Sequence, residues 1–213
     1  KNLRDNIRQL REWGTRVDKA TPEEIMRDLE PDLWIDPDLV DEVYFVPKEG
    51  IIDPVSMAHS ILHAGITRHG AKLIKGTVVG FKGAKGSVSD VVLEDGRELP
   101  ADIVINACGN EADKMAALAG AYIPLSPTTG MTVSTPPAPV CLKRCCHSPE
   151  ANMRPDGAGR LIIRNRDCDT WIEPGKIPAT DSELVKGIMD RARKIMPNLE
   201  EIPPETVRVG VRA

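Results

Sequence analysis

The chain has 213 residues, about one and a half times a usual domain length, so one large domain or two smaller ones sharing a core are expected. Apolar residues make up 41% and charged residues 28%, and 28 basic against 32 acidic side chains leave a net charge of −4, without the basic excess that nucleic-acid binding uses. The longest apolar run, 103–108, is broken at Asn106 and falls far short of the roughly 20 residues a bilayer requires, so no membrane span is expected.

Leu3, Ile7 and Leu10 recur at helical spacing, and Trp13-Gly14 closes that helix as a C-terminal stop. Thr21-Pro22-Glu23-Glu24 has a capping hydroxyl, proline at the first helical position and glutamate at the third, predicting a short helix that ends before Pro31. Pro31 and Pro37 make the next stretch a loop, after which Val43-Tyr44-Phe45-Val46 has the content of a strand. Asp53-Pro54 opens the clearest helix of the first half, with Met57, Ile61 and Leu62 on one face and Gly70 as its terminator.

The character then turns to β. Residues 73–81, 88–93 and 98–101 read as successive strands, with Asp95-Gly96 supplying the positive φ angles of a tight hairpin turn. Ile103-Val104-Ile105 is apolar on both faces, as a strand covered on both sides of a sheet would be, and a helix over 111–118 follows. Six prolines fall between Pro124 and Pro149, with strands expected at 131–135 and 161–164. Thr180 and Glu183 form a second capping box ahead of the strongest amphipathic helix, whose apolar face is Leu184, Val185, Ile188, Met189, Ala192 and Ile195 and which Pro197 ends. Alternating Val207, Val209 and Val211 predict a last strand, and a start at Lys1 with no initiator Met or signal peptide suggests a fragment with both ends missing.

One stretch has the form of a nucleotide-binding element. In Ala101-Asp102-Ile103-Val104-Ile105-Asn106-Ala107-Cys108-Gly109 a buried strand would run through small residues into a helix, presenting main-chain N–H groups where open α/β folds bind nucleotides. Small residues at 107–109 would let a flat cofactor approach the backbone. A structural strand-to-helix turn is the competing reading.

The order Gly50-Ile51-Ile52-Asp53-Pro54, His69-Gly70-Ala71, the three-strand meander and then Ala-Asp-Ile-Val-Ile-Asn-Ala-Cys-Gly resembles the D-amino-acid oxidase/glycine oxidase (DAO) family of FAD-dependent oxidoreductases. Pro124-Leu125-Ser126-Pro127-Thr128-Thr129-Gly130-Met131, Arg154-Pro155-Asp156-Gly157, Gly159-Arg160-Leu161-Ile162-Ile163 and Val209-Gly210-Val211-Arg212 resemble that family's later segments, in the family's order. The resemblance implies an α/β (α+β) fold: part of a two-domain flavoprotein in which a Rossmann-like FAD domain is interleaved with a mixed-sheet substrate domain. Residues 1–49 would join the two domains, 50–120 would belong to the FAD domain, 121–206 to the substrate domain, and 207–213 would be the strand returning to the FAD domain. No Gly-x-Gly-x-x-Gly follows a strand, since Gly80, Gly83 and Gly86 have another spacing and lie between two β segments, so the pyrophosphate-binding turn is expected upstream. Asn110 stands where the family often has an aromatic residue, and Ala213 where it has proline.

Carried over residue by residue, the resemblance implies FAD contacts at Val78, on the first meander strand, and along the main chain at Asn106, Ala107, Cys108 and Gly109. Arg212 matches the arginine that forks onto the substrate carboxylate, a role suited to a planar bidentate donor; a solvated strand-end arginine is the alternative. The implied function is oxidation of the C–N bond of a small amino or imino acid, with oxygen or an electron carrier as acceptor. A 2-hydroxy-acid dehydrogenase on the same fold, or a non-catalytic α/β ligand-binding module, are the rivals. No side chain stands out as a catalytic base, as befits chemistry carried by the cofactor.

Five cysteines, an odd number at spacings of no secreted disulfide framework, suggest a reducing, cytoplasmic setting. Cys141, Cys145, Cys146 and His147 lie within seven residues, but their spacing is not that of a zinc knuckle and they read as thiols, with no metal expected. His59 and His63 share a helix face with Ser60 where a metalloprotease needs glutamate, and read as a polar face. Arg160, Arg164, Arg166, Asp167 and Asp169 read as a surface ion-pair network at a strand end.

Overall fold

The computed structural model describes residues 3–84, 86–139, 142–173 and 175–213. The chain divides into two compact units: Lys1–Asp53 with Thr129–Gly210, and Pro54–Thr128 with Val211–Ala213. The boundaries at 53/54 and 128/129 come from the folded chain alone.

The first unit begins with helix α1 (Leu3–Glu12), closed by Gly14 at φ +79°. A short strand β1 (Asp18–Ala20) pairs antiparallel with β2 (Val43–Phe45). Between them the Thr21 box forms as the sequence predicts: Glu24 N–H donates to Thr21 Oγ1 at 3.2 Å and Thr21 N–H to Glu24 Oε2 at 2.9 Å. Helix α2 (Pro22–Glu24) then widens into a π-helical turn, Ile25–Leu29, ending at Glu30. Glu30 is buried, and its carboxylate accepts from Lys143 N–H at 2.9 Å and pairs with Arg144 at 3.2 Å, so the buried charge is compensated.

A five-stranded sheet follows in the order β10-β6-β9-β8-β7, made of β6 (Thr128–Ser134), β7 (Cys146–His147), β8 (Asn152–Pro155), β9 (Leu161–Arg164) and β10 (Thr206–Arg212). Helix α5 (Glu183–Ile195) lies on it, and Met131, Val133, Met153, Leu161 and Ile163 of the sheet share a core with Val185, Ile188, Met189 and Ala192. Each of the Val, Leu, Ile and Met side chains contributes about 1.5–3 kcal/mol on burial. The cap of α5 differs from expectation: Ser182, not Thr180, accepts from Val185 N–H, because the helix starts at Glu183 and only a hydroxyl one residue earlier reaches the open amides.

The second unit holds α3 (Pro54–His69), stopped by Gly70 at φ +67°, and a three-stranded meander of β3 (Val78–Lys82), β4 (Asp90–Leu93) and β5 (Glu98–Pro100), antiparallel throughout. Residues 73–77 stay outside the strand. The β4–β5 turn uses a positive φ at Gly96 alone, while Asp95 Oδ1 accepts from Arg97 N–H, so a three-residue loop replaces the expected two-residue turn. Gly80, Gly83 and Gly86 belong to β3 and the loop after it, and a Cβ on Gly83 would meet the Ser87 carbonyl oxygen at 2.1 Å. Helix α3 forms as expected, with Met57, Ile61 and Leu62 exposed. The expected strand at 103–105 does not form: Ile103 is 83% and Ile105 85% exposed, with no described strand beside them to take up their main-chain hydrogen bonds.

Candidate functional site

The segment after β5 turns sharply into helix α4 (Ala112–Leu118), and the sequence shows how. Asn106 Oδ1 accepts from Cys108 N–H at 3.2 Å while its Nδ2 donates to the Ala112 carbonyl at 2.8 Å, so one side chain clamps both ends of the turn. Gly109 opens a 3₁₀ turn, Gly109–Glu111, at φ +57°, a conformation that favours glycine. Its chain neighbours aside, no atom of the described residues lies within 4 Å of where its Cβ would be. Asn106, Ala107, Cys108 and Gly109 are all exposed.

Val78 begins β3, half-buried, opposite Leu93 and beside a bulge between residues 78 and 80. Helix α4 packs against β3, so the turn and the strand bearing Val78 belong to neighbouring elements of one unit. Arg212 ends β10, exposed, in the short stretch that groups with this unit. The structure thus joins Asn106, Cys108 and Ala112 by hydrogen bonds.

One residue escaped the sequence reading. Asp113, in the first turn of α4, has its Oδ1 buried without a hydrogen-bond partner among the described residues. An acid there reads from sequence as a partner of the helix dipole, and only the packing shows that one oxygen still lacks a donor. Such an orphan costs free energy until something donates to it.

The other clusters resolve differently. Arg164 and Asp169 lie 2.5 Å apart with the carboxylate buried, and Asp169 Oδ1 also accepts from Met131 N–H at 2.9 Å. This pair is therefore a part-buried tie between β9, β6 and the 3₁₀ turn Asp167–Trp171, not the surface network expected. Arg160 does pair outward, with Glu205 at 3.0 Å. Cys108, Cys145, Cys146 and Cys168 are free thiols, and Cys141 lies outside the described residues. His59 and His63 are exposed on α3. No helix is long and apolar enough to cross a membrane among the described residues.

For a flat cofactor, the small exposed residues at 107–109 and the open space at Gly109 fit close approach to the main chain. No glycine-rich strand-to-helix turn for a pyrophosphate exists among the described residues, since the candidate glycines sit in the meander.

The family model described as FAD dependent oxidoreductase (DAO) matches residues 1–213. Among solved structures, L-proline dehydrogenase from P. horikoshii superposes with a TM-score of 0.82 at 24% identity, covering 98% of this chain and 56% of that one. Glycine oxidase from Geobacillus kaustophilus gives 0.74 at 19%, covering 98% and 55%, and iminodiacetate oxidase from Chelativorans sp. BNC1 gives 0.74 at 23%, covering 99% and 55%. At these identities the likeness establishes a shared fold. The chain spans about half the length of these proteins.

Proposed function

We propose, from the premise that the chain belongs to the DAO family of FAD-dependent oxidoreductases, that it forms part of a flavoenzyme oxidising the C–N bond of a small amino or imino acid. The observation that carries this reading is the clamped turn at 106–109, small, exposed and left-handed at Gly109, within a stretch the family match spans. The compounds named for the similar structures support the substrate class, because proline, glycine and iminodiacetate each join an amine nitrogen to a carboxylate.

A bound flavin supplies the two-electron chemistry. The chain's own residues hold and orient. The main chain at Ala107, Cys108 and Gly109 would hold the flat cofactor, with Asn106 keeping the turn in shape and Val78 adding a contact from the first meander strand. Arg212 forks onto the substrate carboxylate and so fixes which carbon is presented for oxidation. Oxygen or an electron carrier takes the electrons afterwards.

The test uses the complete protein, its flavin absorbance, and steady-state turnover with amino acids, their amides and 2-hydroxy acids. A yellow protein that turns over a small amino or imino acid is expected. Replacing Arg212 by Ala removes charge-assisted bonds of about 1.5–3 kcal/mol, about tenfold to a hundredfold in kcat/KM for the acid, with little change for the amide. Arg212→Lys falls between, keeping the charge without the fork. Turnover of 2-hydroxy acids alone would replace this reading with the hydroxy-acid one, and a colourless protein would point to the binding module. Equal losses on acid and amide would remove Arg212 from the substrate site.

A further inference from the structure

In the sheet unit, three side chains capable of binding a metal meet at a place that no local motif marks. Strand β7 sends alternate side chains to opposite faces. Cys146 packs against the core, so Cys145 and His147 share the other face. The turn after β2, closed by Glu49 N–H donating to the Val46 carbonyl at 3.1 Å, brings Glu49 to that face. One potential ligand atom from each of Glu49, Cys145 and His147 lies within 4.8 Å of the other two.

The imidazole is already oriented. His147 Nδ1 lies 3.2 Å from Asn152 Oδ1, and residues 147 and 152 are direct partners in the β7–β8 register. With Nδ1–H given to that amide oxygen, Nε2 is left as a lone pair facing Glu49 Oε1 at 3.3 Å. In that tautomer a proton or a metal ion can bridge the ring nitrogen and the carboxylate. Metal-binding histidines are held in this way, by a hydrogen bond from the second ring nitrogen to an oxygen.

We propose that Glu49, Cys145 and His147 form a three-ligand site for a zinc-class divalent ion, which pins the 46–49 turn to β7 and leaves a fourth position open to solvent. Thiolate, imidazole and carboxylate are the donors that zinc accepts together. Bond lengths of about 2.0–2.2 Å to nitrogen and oxygen at a tetrahedral angle put those two atoms roughly 3.4 Å apart, and the Nε2–Oε1 edge already has that length. A small movement of the thiol completes the site. Glu49 is separated from His147 by 98 residues, which is why cysteine and histidine spacing gave no sign of it.

The probes are Co(II) and Zn(II) alone, titrated into the reduced, chelator-treated chain. One equivalent of Co(II) should give thiolate-to-metal charge-transfer absorption and tetrahedral visible bands, and Zn(II) should displace it. Cys145→Ser should abolish the charge-transfer band, while Cys168→Ser keeps it. Glu49→Gln and His147→Gln should each weaken binding more than tenfold, and Asn152→Ala, which only frees the ring, about tenfold to a hundredfold. These side chains lie outside the core, and matching far-ultraviolet spectra of the variants exclude misfolding as the cause. Absence of saturable one-equivalent binding overturns the proposal. So does a charge-transfer band that survives Cys145→Ser, or parental affinity in Glu49→Gln.

Discussion

Asn106 and Gly109 make a turn specified within the seven residues 106–112, an amide clamping both ends and a glycine taking the left-handed step, which is why its position is legible in the sequence. Cys168 is a different case, since burial by packing, which no local pattern sets, is the largest influence on its thiol. Burial first, then the charges of Asp167 and Asp169, push its thiol up, with Arg191 opposing. The thiolate is the nucleophile, so at pH 8 Cys168 should alkylate more slowly than the exposed Cys108. Raising the pH increases the thiolate fraction and should speed Cys168. Asp167→Asn should also speed it at fixed pH, by removing a negative charge that disfavours the anion. Peptide mapping after timed iodoacetamide treatment reads all three effects, and equal rates for Cys108 and Cys168 at pH 8 would contradict the burial argument.

Two helices show how an apolar pattern differs in worth with its surroundings. Helix α5 buries Val185, Ile188, Met189 and Ala192 against the sheet, whereas no residue of α3 is buried and Ile61 is 64% exposed. Ile188→Ala should therefore cost about 2–5 kcal/mol. Ile61→Ala should stay within about 0.5 kcal/mol, as surface substitutions do. Urea unfolding of the 213-residue chain, monitored by far-ultraviolet circular dichroism, measures both, and comparable losses would mean that α3 packs on something in solution. The Asn152–His147 pairing belongs to this scale too, because register across β7–β8 sets which amide faces the imidazole. No property of β8 read alone predicts it.

Across the whole molecule, the sheet unit has a closed apolar core while the meander unit leaves Ile103 and Ile105 more than four-fifths exposed. Apolar side chains this exposed offer an apolar dye a surface to bind. The folded 213-residue chain should therefore enhance the fluorescence of an anilinonaphthalene dye without denaturant, and the double change Ile103→Ser, Ile105→Ser should reduce that signal with the helix content unchanged. A native chain that leaves the dye dark would show that this surface is covered. The sequence by itself determined what acts within a few residues: the Thr21 box, the glycine stops at 14 and 70, the apolar face of α5, strand β9, and the turn at 106–109. These are legible because caps, turn conformations and helical periodicity are local interactions. Only the tertiary structure decided that 103–105 lies outside every described strand, that Asp169 is a buried tie, that Asp113 has an oxygen without a donor among the described residues, and that Glu49 meets Cys145 and His147. Each depends on which distant segment lies alongside, and strand pairing and side-chain clusters are settled by packing between segments that no local pattern encodes.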